Sequence, residues 1–99
     1  MNYVLEFHPE IEKDINEAYS WYESQKDGLG EQFFIAIRKK LESIGRFPEL
    51  YGTKGNGKYR EAIVAVFPFA IVYIIYKRKH CIFVSSIHHF SKRTKTKYR

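Results

Sequence analysis

The sequence predicts an α+β fold: a short N-terminal strand, a helical hairpin, then an antiparallel three-stranded meander. Three observations carry this. The first half spaces its apolar residues at helical intervals on either side of a glycine-containing break, QKDGLG. The second half holds three closely spaced runs rich in Ile, Val, Phe and Tyr. The chain has 99 residues, enough for one core and too few for two. The expectation is a single domain over 1–99 with a basic tail over 89–99.

Each element follows from local chemistry. Residues 3–7, YVLEF, read as a strand. Pro9 suits the first turn of a helix. Ile11, Ile15, Ala18 and Tyr22 then recur on one face, so the first helix is expected from Pro9 to Ser24. Glu10, Glu12 and Asp14 fall in its opening turns, where the helix dipole favours acids. Gly28 and Gly30 permit a tight helix-to-helix turn. The second helix carries Phe33, Ile37, Leu41 and Ile44 on one face and ends at Phe47-Pro48, because the residue before proline avoids helical ψ. Residues 51–58, YGTKGNGK, read as a loop carrying Lys54 and Lys58. The meander is expected at Tyr59–Val66, Ala70–Tyr76 and Cys81–Ile87. Its middle run, AIVYIIY, is apolar at both parities, so both faces of that strand require cover. The helical hairpin supplies one cover. The chain's own tail or another molecule supplies the other.

Several function classes are excluded. The longest apolar run, Ala62 to Tyr76, contains Pro68 and is too short for a membrane-spanning helix. The N-terminus lacks the pattern of a secretory signal, so a cytoplasmic protein is expected. The single cysteine, Cys81, rules out a disulfide framework and a multi-cysteine metal site. Its strand context predicts an inert buried thiol. No cofactor or metal is expected. Phosphate-loop, serine-elbow and zincin motifs are absent from the sequence.

Charge is unevenly placed. Residues 1–50 hold ten acids and six bases, whereas residues 51–99 hold eleven bases and one acid, Glu61. From Lys77 to Arg99 there is no acid at all. Such asymmetry points to a polyanionic partner, nucleic acid or an acidic protein segment; the plainer alternative is a solvated basic surface. Three groups offer chemistry. Arg60 opens the first meander strand, and a guanidinium binds phosphate bidentately; the alternative is a partner for Glu61. His88 and His89 offer a proton shuttle, and neighbours on a strand face opposite sides, so one of them serves a given site. The tail interleaves Lys92, Arg93, Lys95, Lys97 and Arg99 with Phe90 and Tyr98, a composition suited to single-stranded RNA.

Several segments together resemble the RelE/ParE superfamily of toxins from type II toxin–antitoxin modules. The resemblance rests on WYESQKDGLGEQF at Trp21 to Phe33, the Phe47-Pro48 stop, Tyr59-Arg60, FPFAIVY at Phe67 to Tyr73, and a strand ending in histidine before Ser91-Lys92. The helix junction and the Phe-Pro turn look more like the ParE-like side. The resemblance implies a plasmid-stabilisation toxin that arrests growth, bound in a hetero-oligomer by an acidic antitoxin. It implies either poisoning of DNA gyrase or cleavage of mRNA at the ribosome. By position it makes Arg60 and His89 catalytic candidates, with His88 the choice if the register shifts by one. Lys54, Lys58, Lys92, Arg93 and Tyr98 become nucleic-acid-binding candidates. Lys92 stands where many relatives have arginine. A non-toxic nucleic-acid or protein binding module on the same fold is the alternative.

Overall fold

The computed structural model describes residues 2–54, 57–92 and 98. Strand β1 (Val4–Phe7) leads into helices α1 (Ile11–Gln25) and α2 (Leu29–Arg46), followed by a single 3₁₀ turn at Pro48–Leu50. Strands β2 (Thr53–Lys54), β3 (Tyr59–Ile63), β4 (Phe69–Tyr76) and β5 (Cys81–His89) complete the chain. The expected α+β architecture is present, and the β3–β4–β5 meander is antiparallel throughout. Two further strands flank it, giving the order β1-β5-β4-β3-β2. β1 joins β5 in parallel, and β2 forms a two-residue pair with β3 inside the segment expected to be a loop.

Element ends differ from the expectation for local reasons. α1 starts at Ile11 because residues 8–10 form a turn: the Glu10 N–H donates to His8 Nδ1 at 3.1 Å and the Ile11 N–H to the His8 carbonyl at 3.0 Å. β3 stops at Ile63 because the next residues turn, with Val66 at φ 74° and 97% exposed. β5 continues to His89, paired with Phe69.

The junction between the helices explains its sequence. Gly28 has φ 85°, a left-handed conformation that costs glycine nothing. The Glu23 carboxylate reaches over from α1 and accepts from the N–H groups of Gly28 and Gly30, each at 2.9 Å. These are donors that the first turn of a helix leaves unpaired. A Cβ on Gly30 would lie 2.8 Å from the Tyr19 ring, so the helices approach here only with glycine.

The core lies between the hairpin and one face of the sheet. Phe33, Ile37 and Ile44 of α2 meet Phe69, Ile71 and Tyr73 of β4 and Ile82, Val84 and Ile87 of β5. The β5 set breaks strict alternation because Ser85 is bulged: Tyr73 faces Val84 while Val72 faces Ser86. The extra residue returns Ile87 to the core face. Aromatic rings fill the centre, with Phe33 5.3 Å from Tyr22, 5.4 Å from Phe67 and 4.9 Å from Phe69. On the second face Ala70, Val72 and Ile74 are buried as well. The Tyr98 ring lies 4.8 Å from Tyr59 at the start of β3, tilted by 48°, so Tyr98 sits against the sheet. The rest of the tail, 93–97 and 99, lies outside the described residues.

Phe33 is fully buried. Phe33→Ala is expected to cost about 3–5 kcal/mol in urea unfolding, and Leu41→Ala, half-buried on the same helix face, about 2 kcal/mol.

Candidate functional site

Arg60 sits second in β3, directly across from Tyr73 on β4. Its Nη1 donates to the Tyr51 carbonyl at 2.6 Å and, more weakly, to the Glu49 carbonyl at 3.4 Å. The Tyr73 hydroxyl donates to the Pro48 carbonyl at 2.6 Å. Tyr51 is held from the other side: its hydroxyl lies 2.6 Å from Ser43 Oγ and accepts from Lys40 Nζ at 3.5 Å, with the ammonium over the ring. Strand and helix thus clamp residues 48–51 between them. Lys40, Ser43 and Tyr51 were not singled out from the sequence. The signal for them is weak, an i,i+3 pair on α2 and a tyrosine before a glycine.

Burial pushes the Tyr73 hydroxyl well above the ordinary tyrosine range; Arg60 opposes the shift and Tyr51 adds to it. Burial also raises the Cys81 thiol, as does its hydrogen bond with Glu6, which keeps it protonated and unreactive as its strand context predicts.

His89 ends β5, with its ring edge-on to Phe69 at 5.3 Å. The Ser91 N–H donates to His89 Nδ1 at 3.0 Å, and Ser91 Oγ lies 2.7 Å from the same nitrogen. That nitrogen is therefore the acceptor, and in the neutral ring the proton sits on Nε2. His88 is buried on the opposite side of the strand, 3.2 Å from Ser86 Oγ through Nδ1. β1 ends opposite Val84, so the last residues of β5 extend beyond it. A cleft of 560 Å³ opens there, lined by Ser86, His88, His89, Ser91 and Lys92 together with Glu10 and with Lys13, Asp14, Glu17 and Trp21 of α1. Trp21 is 59% exposed. Residues 77–99 hold no acid, yet the first half of the chain brings the carboxylates of Glu10, Asp14 and Glu17 to the lining of this cleft.

The sequence candidates therefore fall into two groups. Arg60 and His89 share the helix-facing side of the sheet, but their partners on β4, Tyr73 and Phe69, are four residues apart. At a rise of about 3.3 Å per residue that is about 13 Å. Lys54, Lys58 and Tyr98 accompany the Arg60 end: Lys54 pairs with Tyr59, Lys58 lies 5.7 Å from the Tyr59 ring, and the Tyr59 hydroxyl donates to the Tyr98 carbonyl at 3.3 Å. Lys92 accompanies His89, where its N–H donates to the His89 carbonyl at 3.0 Å. Arg93 lies outside the described residues.

A family model described as "ParE toxin of type II toxin-antitoxin system, parDE" matches residues 5–93. The chain belongs to the ParE toxin family. It is the toxin of a type II toxin–antitoxin module. The fold of this ParE-family toxin is shared with solved structures. The isolated E. coli RelE toxin superposes with a TM-score of 0.60 at 20% identity, covering 94% of this chain and 88% of that one. A chain of the intact E. coli RelBE toxin–antitoxin complex gives 0.61 at 20% identity, covering 91% and 99%. A chain of the chromosomal ParDE system of P. aeruginosa gives 0.62 at 14% identity, covering 88% and 95%. A search of curated protein sequences returns no match. Among the described residues no helix of this toxin is long and apolar enough to cross a membrane.

Arg60→Ala is expected to lower stability by about 1.5–3 kcal/mol in urea unfolding, because hydrogen bonds from a charged donor to the 49–51 carbonyls are lost. The alkaline limb provides a second check. The folded state keeps the Tyr73 proton that the unfolded chain releases near the ordinary value of 10.0. The stability from this difference is complete below that pH and is lost as pH rises through the folded value. Tyr73→Phe is expected to flatten the decline in urea midpoint between about pH 10 and 12.

Proposed function

We propose that this toxin arrests growth by poisoning DNA gyrase rather than by cleaving mRNA, and that an acidic antitoxin neutralises it. The observation that carries the reading is the separation of Arg60 from His89. Cleavage by attack of an RNA 2′-hydroxyl on its own phosphate requires a base, an acid and a counter-charge around one phosphorus, each within hydrogen-bond reach. Here the strongest candidates stand about 13 Å apart along the strand axis and, on β3 and β5 with β4 between them, about 10 Å apart across it, and Arg60 is engaged with main-chain carbonyls. The match to the ParE family supports the same branch. In this reading Arg60 acts by bracing the surface around Lys54 and residues 48–51, and the toxin works by binding.

The antitoxin reading is supported by the neighbour solved as the intact E. coli RelBE toxin–antitoxin complex. It is supported also by the net charge of +6 and the lack of acids after Glu61, which suit an acidic segment that folds on binding. One observation favours mRNA cleavage as a second reading. His89, Ser91 and Lys92 share a cleft with Asp14 and Glu17, so proton-transfer groups do meet at that end.

The purified toxin is expected to inhibit supercoiling by gyrase and to accumulate cleaved plasmid DNA, while mRNA in a translating extract stays intact. Cleaved mRNA with unaffected supercoiling, abolished by His89→Ala, would establish the second reading and overturn the first.

A further inference from the structure

One end of the molecule gathers cations from segments far apart in sequence. The β4–β5 turn presents Lys77, Arg78 and Lys79, all exposed. The Glu49 carboxylate lies 3.2 Å from Lys77 Nζ and ties the 3₁₀ turn to it. Tyr3 stacks on His80 at 4.2 Å, and its N–H donates to the Gly45 carbonyl at 3.0 Å. These contacts bring Arg46, at the end of α2, to the same place. Because Arg60 pairs with Tyr73, Lys54 and Lys58 fall level with the last residues of β4. The segments 46–54, 58 and 76–80 hold six cations and one carboxylate, Glu49, which is already bound to Lys77.

We infer that this end binds the phosphodiester backbone of duplex DNA, through Arg46, Arg78 and Lys79 beside Lys54 and Lys58. A set of cations from three segments suits a line of phosphates. Single strands are held chiefly by aromatic rings open for stacking. Of the rings here only Phe47 is more than half exposed; Lys79 lies 5.9 Å from the Tyr76 ring, and Lys58 and Tyr98 lie against Tyr59, so there is no pair of open rings to stack successive bases. Phe47 and Leu50, 62% and 68% exposed, stand alongside and offer apolar contact to the deoxyribose edge. The carboxylates of α1 line the cleft at the other end of β5, so the field orients a polyanion toward the β4–β5 turn. The inference is independent of gyrase, since it concerns this chain and DNA alone.

The test measures fluorescence anisotropy of a short random-sequence DNA duplex, and of a single-stranded RNA of equal length, against the full-length protein over a salt series. The variant R46A/R78A/K79A is compared with K26A/R38A/K39A, which removes the same charge from exposed positions on α2 and just after α1. The first is expected to bind duplex at least about tenfold more weakly near 0.1 M salt, with a salt slope lower by about three. The second is expected to bind like the parent, and both to melt like it. Equal losses in the two variants, no loss in the first, tighter binding of the RNA, or no binding of duplex by the parent would each overturn the inference.

Discussion

The buried hydroxyl of Tyr73 constrains much of this molecule. Tyr73 is fully buried at the centre of β4, and an unpaired hydroxyl there would cost more than one hydrogen bond returns. Its partner is the Pro48 carbonyl, so the chain leaving α2 has to lie against the sheet at that point. The consequences run outward. Glu49 and Tyr51 turn their carbonyls to Arg60, Tyr51 reaches Ser43 and Lys40 on α2, and the Glu49 carboxylate meets Lys77. Helix, sheet and β4–β5 turn are joined at one end by a few polar contacts around a single ring.

That arrangement also separates the charges. Lys54, Lys58, Lys77, Arg78 and Lys79 collect around the β4–β5 turn, whereas α1 lays its carboxylates beside β5 where the strand runs past β1. A ParE-family toxin with this distribution offers two unlike surfaces, a basic end and a mixed cleft holding two histidines. Binding partners of different chemistry have different places to go, which fits a toxin that both reaches a target and is neutralised.

The helix junction shows how a local motif acquires meaning from tertiary contact. The residues WYESQKDGLG read as a turn because of their glycines. In the fold Gly30 admits the Tyr19 ring, Gly28 takes the left-handed conformation, and Glu23 supplies the missing cap for α2. The glycines were legible as a break. The cap was not, because it requires the two helices to be already antiparallel.

The sequence by itself determined the α+β class, the helical hairpin with Phe33, Ile37 and Ile44 on its buried face, the meander, and the two-sided burial of β4. Each of these is a periodicity or a break, and periodicity follows from the geometry of one element. The resemblance carried in the chain's motifs also reached the correct superfamily. The tertiary structure alone decided the pairing of β1 with β5, the bulge at Ser85, the α1 carboxylates beside His89 and the distance between His89 and Arg60. All of these depend on which strands become neighbours. Neighbours are chosen by how the whole apolar surface is covered at once, and no window of sequence contains that information.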